Sequence, residues 1–90
     1  ETRRQSYAAA STLLDHLEPA VRLRRYPQRQ ADFFVLQAPD VPSVLLELGF
    51  LSNDNDIRNL SNADWQTRTA EALVRGIGAY FDSQQAMAAK

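Results

Sequence analysis

The sequence has no cysteine, a single histidine, one methionine, one tryptophan and three glycines among its 90 residues. Without cysteine there is no disulfide framework, no iron–sulfur cluster and no thiolate zinc site. One imidazole is too few for a multi-histidine metal site built from this chain alone. The missing thiols leave the compartment open, since both cytoplasm and periplasm tolerate their absence. No apolar run approaches the roughly 20 residues that cross a bilayer. The opening Glu1-Thr2-Arg3-Arg4-Gln5-Ser6 lacks the apolar core of a secretory signal, so an export signal would have to lie upstream. An excess of one charge is missing too. Ten Lys and Arg face 11 Asp and Glu, for a net charge of -1, which gives no reason to expect nucleic acid or another polyanion as the main partner. What is present is an ordinary folded composition, 44% hydrophobic, in a length that allows one small domain at most.

The charge is unevenly spread. Residues 1–30 hold Arg3, Arg4, Arg22, Arg24, Arg25 and Arg29 against Glu1, Asp15 and Glu18, whereas the remainder is predominantly acidic. The cluster Arg22, Arg24, Arg25 and Arg29 reads either as a surface for anionic polymers or an acidic partner, or as a solvated connection.

Hydrophobic spacing predicts the elements. Tyr7, Ala10, Leu13, Leu14 and Leu17 recur at three- and four-residue steps, which predicts a helix over about Thr2–Leu17 that Pro19 stops. Phe33–Leu36 is short, apolar and β-prone, and reads as a strand. After the rigid turn Pro39-Asp40-Val41-Pro42, the stretch Ser43–Leu48 is apolar without alternation, the pattern of a central strand with both faces buried. Asn53 with Asp56, and Ser61 with Asp64, look like capping boxes for a short helix ending at Leu60 and a long one from about Asn62 to Phe81 or beyond. In the second case Leu60 and Trp65 take the positions of a hydrophobic staple. The long helix carries the stripe Trp65, Ala72, Leu73, Ile77 and Tyr80, and close helix–sheet packing is the expected compensation for Gly76 and Gly78 within it. The predicted class is therefore α/β, ordered helix–strand–strand–helix–helix over residues 1–83, with a polar tail at 84–90. Two strands do not make a sheet with two buried faces, so either the chain oligomerises or it belongs to a larger α/β domain.

Glu47 is the anomaly within Val44-Leu45-Leu46-Glu47-Leu48. A carboxylate in a buried strand has to be paired or protonated. One reading makes it an ion-pair partner of Arg24, Arg25 or Arg29. The other makes it a catalytic group near the C-terminal end of a strand, where open α/β sheets place their sites.

The run from Phe34 to Asn53, with Pro42-Ser43-Val44-Leu45-Leu46-Glu47-Leu48-Gly49-Phe50-Leu51-Ser52-Asn53 at its centre, closely resembles the C-terminal signature of zinc-dependent N-acetylmuramoyl-L-alanine amidases. Ser6 and Ala10 before it, and Gln66, Ala70, Ala72, Gly76, Ile77 and Tyr80 after it, agree with the same pattern. The resemblance implies the C-terminal half of a catalytic domain, contributing to a twisted mixed sheet flanked by helices. It implies hydrolysis of the amide between N-acetylmuramic acid and the L-alanine of the stem peptide, in the periplasm, with Glu47 as general base for a zinc-bound water. The family's zinc ligands lie upstream of the matching region. His16, the only imidazole, falls outside any ligand motif and reads as a helix-end residue. This chain alone is therefore expected to hold no zinc and to be inactive. Its partners would be peptidoglycan, the N-terminal half of the same amidase and a periplasmic activator protein. In amidases of Gram-negative cell division an inhibitory insertion precedes the Ser6–Ala10 helix, and Glu1 looks like a start just after such a segment. Two other readings remain: a non-catalytic, amidase-derived module that binds peptidoglycan or a partner, and a cytoplasmic α/β interaction domain with Glu47 in a buried arginine pair. Asn53 reads as a cap or a substrate contact, and Trp65 as core or a sugar-stacking platform.

Overall fold

The computed structural model describes residues 1–25, 27–29 and 36–89. It contains three helices, α1 (Thr2–Leu17), α2 (Asp54–Leu60) and α3 (Ala63–Ala88), joined by irregular connections. There is no strand among the described residues, so the expected α/β class gives way to an all-helical arrangement. Of the predicted strand Phe33–Leu36, residues 33–35 lie outside the described residues. The second, Ser43–Leu48, is irregular. The physical reason is the asymmetry between the two structures: a helix satisfies its own backbone, whereas a strand exists only through a ladder to a neighbour. Residues 43–50 have no such ladder among the described residues. Their side chains confirm this, because Ser43, Leu46 and Gly49 are half-buried at three-residue steps while Val44, Leu45, Glu47, Leu48 and Phe50 are exposed. A strand would alternate every second residue.

The helices follow their local signals. α1 spans its predicted range, and its last turn is closed by the Glu18 N–H donating to Leu14 O at 2.9 Å. Asn53 caps α2, its Oδ1 accepting from the Asp56 N–H at 3.0 Å. The cap of α3 is Asn62, whose Oδ1 accepts from the Trp65 N–H at 2.8 Å, and not Ser61. This one-residue shift removes the expected staple: the staple positions become Ser61 and Gln66, and the Gln66 amide donates to Leu60 O. α3 runs without a break through residues 84–88, so most of the polar tail is helix.

α1 packs against α3, and α2 packs lightly on α3. Gly76 faces Leu13 while Arg68 reaches Ala20, so α1 and α3 run antiparallel. The seam centres on Leu17, Thr69, Ala72 and Gly76, all buried. Close packing at Gly76 is thus against a helix, not a sheet: a Cβ there would lie 3.0 Å from Leu13 Cδ2 and 3.2 Å from Leu13 Cα. A Cβ at Gly78 would meet nothing within 4 Å, so no packing explains that glycine. Ile77, expected in the stripe, is 49% exposed. Thr69 takes a core position instead, satisfying its hydroxyl on Trp65 O at 2.8 Å. The molecule is extended, with a radius of gyration of 14.4 Å against about 12 Å for a compact chain of this length.

Candidate functional site

Glu47 lies on the segment 43–50, and that segment is tethered at both ends. At the first end, the Ser43 N–H donates to Ser6 Oγ at 2.8 Å. The same hydroxyl donates to Thr2 O at 3.0 Å, so one side chain of α1 both keeps its helical back-bond and holds the incoming chain. At the second end, the Phe50 N–H donates to Asp56 Oδ2 at 2.9 Å. Asp56 belongs to α2, and this bond ties the segment to that helix. The Arg24 guanidinium stands 5.7 Å from the centroid of the Phe50 ring, within cation–π range.

Between the tethers, Glu47 is exposed. That overturns the buried carboxylate expected from the apolar run, and with it the burial on which an arginine ion pair would depend. Around it the apolar side chains are open as well: Leu45 is 48% exposed, Leu48 49% and Leu51 81%. The carboxylate thus stands on an open, largely apolar surface.

The four arginines are all exposed. Arg24 covers Phe50, and Arg22 and Arg25 line different clefts. The first of these, about 410 Å³, lies between the end of α1 and the start of α3 and is bordered by Arg22, Asn59, Trp65 and Arg68. The second is bordered by Ser11, Asp15, Arg25 and Gln28. Gln28 fastens that connection to α1, accepting from Ser11 Oγ at 2.9 Å and donating to Tyr7 O at 3.1 Å. Trp65 is half-buried in the first turn of α3, between the core and platform readings. Asn53 serves as a cap.

His16 is half-buried beside Gly76 at the α1–α3 seam, with Nδ1 2.9 Å from Thr12 O. A carbonyl only accepts, so Nδ1 carries the proton in this contact. Among the described residues no three His, Cys, Asp or Glu side chains are grouped so as to hold a metal ion. None of their helices is long and apolar enough to cross a membrane.

Asp56 is the site residue that sequence reasoning missed. Its spacing from Asn53 reads as a capping box, in which the third residue reaches back to the cap's own N–H. Here it reaches three residues further, to Phe50. The adjacent Gly49 was the available signal, since a Cβ there would lie 3.1 Å from Asp56 Cβ.

Comparison with known proteins adds a family. The profile described as N-acetylmuramoyl-L-alanine amidase matches residues 1–79. An uncharacterised protein of Bacillus subtilis strain 168 is 36% identical over 73 residues, covering 81% of this chain and 35% of that protein. An Escherichia coli O6:H1 protein named N-acetylmuramoyl-L-alanine amidase AmiC is 42% identical over 69 residues, covering 77% of this chain and 16% of its own. AmiA of Escherichia coli K12, named for the same activity, is 34% identical over 93 residues, covering 100% of this chain and 32% of its own. The chain thus spans about a third or less of these relatives. No solved structure matches it.

Proposed function

The chain belongs to the N-acetylmuramoyl-L-alanine amidase family, and from that premise we propose that it supplies the catalytic carboxylate Glu47 to a peptidoglycan hydrolase. The bond cleaved is the amide between N-acetylmuramic acid and the L-alanine of the stem peptide. The observation that supports this reading is the placement of Glu47: an exposed carboxylate on a segment held at Ser43 and Phe50, inside the motif that resembles the family signature.

Amide hydrolysis needs a proton moved from the attacking water to the departing nitrogen, because an amine leaves a tetrahedral intermediate only once protonated. A solvent-facing carboxylate on a fixed backbone fits both halves of that transfer. Glu47 takes the proton as the water adds, then returns it to the alanine nitrogen as the carbon–nitrogen bond breaks. The zinc that the resemblance implies does not fit the described residues, which form no site for it. We assign it to the part of the enzyme that this chain does not span. The reading places the enzyme in the periplasm, with peptidoglycan as substrate. Its partners are the remaining part of the same catalytic domain and a periplasmic activator protein.

The test is Glu47→Gln in the full-length protein that contains this chain. Loss of general-base catalysis is worth about 10²–10⁴ in rate, so dye release from labelled sacculi is expected to fall by at least about a hundredfold while zinc content stays unchanged. Normal turnover by a folded, zinc-loaded variant overturns the reading. The same assay separates an enzyme from a non-catalytic module, for which the unmodified full-length protein releases no dye.

A further inference from the structure

Asp56, together with Asn53, fastens the backbone two and three residues after Glu47. Asp56 Oδ2 accepts the Phe50 N–H at 2.9 Å. Its own N–H is fixed by Asn53 Oδ1 at 3.0 Å, and the Asn53 N–H donates to Phe50 O at 3.1 Å, which closes a ring of hydrogen bonds over residues 50–56. Finally, its side chain lies against Gly49, where an added Cβ would sit 3.1 Å from Asp56 Cβ, 3.3 Å from Cγ and 3.4 Å from Oδ2. Capping of α2 does not require this carboxylate, because Asn53 already supplies the cap. The carboxylate is spent outside the helix, on the residue three positions after Glu47.

We propose that Asp56 is a positioning residue for Glu47: through Gly49 and Phe50 it sets where the catalytic carboxylate stands. The inference rests on the reading of Glu47 as general base. Arg24, stacked on the Phe50 ring, supports the same residue from its side chain, while Asp56 holds its backbone. A misplacement of about 1 Å costs roughly a hundredfold in rate, so loosening this anchor acts on turnover and leaves substrate binding by the rest of the enzyme largely as it was.

The experiment compares Glu47→Gln, Asp56→Ala and Asp56→Asn in the full-length enzyme, with kcat, KM and zinc content measured for each. Asp56→Ala is expected to lower kcat by about tenfold or more, within the hundredfold that a displaced group costs, with KM and zinc content little changed. Asp56→Asn keeps an oxygen that accepts the Phe50 N–H and is expected to restore most of kcat. A protein in which Glu47→Gln is inactive but Asp56→Ala turns over normally overturns this inference alone. Normal turnover by Glu47→Gln overturns both readings. An Asp56→Asn variant as impaired as Asp56→Ala also overturns positioning, since charge and not the bond would then matter. Where Asp56→Ala does not fold, Gly49→Ala takes its place. Its new Cβ presses on Asp56 without removing the carboxylate, so lowered kcat at constant KM supports the inference and unchanged kcat overturns it.

Discussion

Two glycines two residues apart in α3, and so on nearly opposite faces of the helix, carry opposite consequences. A helix-interior glycine costs about 1 kcal/mol relative to alanine. At Gly78 nothing stands within 4 Å of a new Cβ, so Gly78→Ala is expected to recover most of that, about 0.5–1 kcal/mol. At Gly76 the new carbon would press on Leu13 Cα at 3.2 Å, and a backbone atom in a packed helix does not yield as a side-chain end does. Overpacking of this kind costs about 1–3 kcal/mol, so Gly76→Ala is expected to be destabilising by about 1 kcal/mol net. Urea midpoints of the two variants check the signs, and equal shifts would contradict the seam described. The sequence exposes both glycines equally. It does not show that only one of them touches the other helix, because that depends on the rotation of α3 about its axis. Thr69 illustrates the same limit: a polar residue hides from apolar periodicity, yet it is 4% exposed because its hydroxyl is satisfied within its own helix.

At the scale of elements, the signals that proved legible are local. Pro19 and the apolar spacing from Tyr7 to Leu17 define α1, and the Asn53 cap defines α2. The start of α3 is ambiguous in sequence between Ser61 and Asn62, since either can cap. The structure selects Asn62. Asn62→Ala is expected to cost about 1 kcal/mol, typical of a lost cap, and Ser61→Ala less than about 0.5 kcal/mol, typical of a neutral surface change. Thermal or chemical denaturation distinguishes them, and the reverse order would restore the Ser61 cap. The segment around Glu47 was illegible for a different reason. Val44-Leu45-Leu46 has strand composition, but composition does not provide the neighbour that makes a strand. The motif singles out Glu47, and the burial expected for it from the apolar run is not found, because Glu47 is exposed. Its anchors, Ser6 and Asp56, are separated from Ser43 by 37 residues and from Phe50 by six, and neither link leaves a periodic trace.

The whole molecule exposes 7175 Å², against about 5,300 Å² for a compact protein of 10.1 kDa. Packed only on themselves, these residues leave Val74, Phe81 and Met87 of α3 between 60% and 70% exposed. Such a molecule owes its local order less to a core than to individual fastenings, and the two that bracket Glu47 have a measurable rhythm. The Phe50 amide donates to a carboxylate, a bond worth about 1.5–3 kcal/mol. Opening it first slows hydrogen–deuterium exchange by about 10- to 150-fold. The Ser43 amide donates to a neutral hydroxyl, worth about 1 kcal/mol, which slows exchange by only about fivefold. The amides at 44–49, without backbone partners among the described residues, are expected to exchange at nearly the free rate. Exchange resolved by residue checks this order, and uniform protection across 43–50 would contradict it. The slower of the two clocks is then the one set by Asp56, and its rate records, with no substrate present, how long the backbone beside Glu47 keeps still.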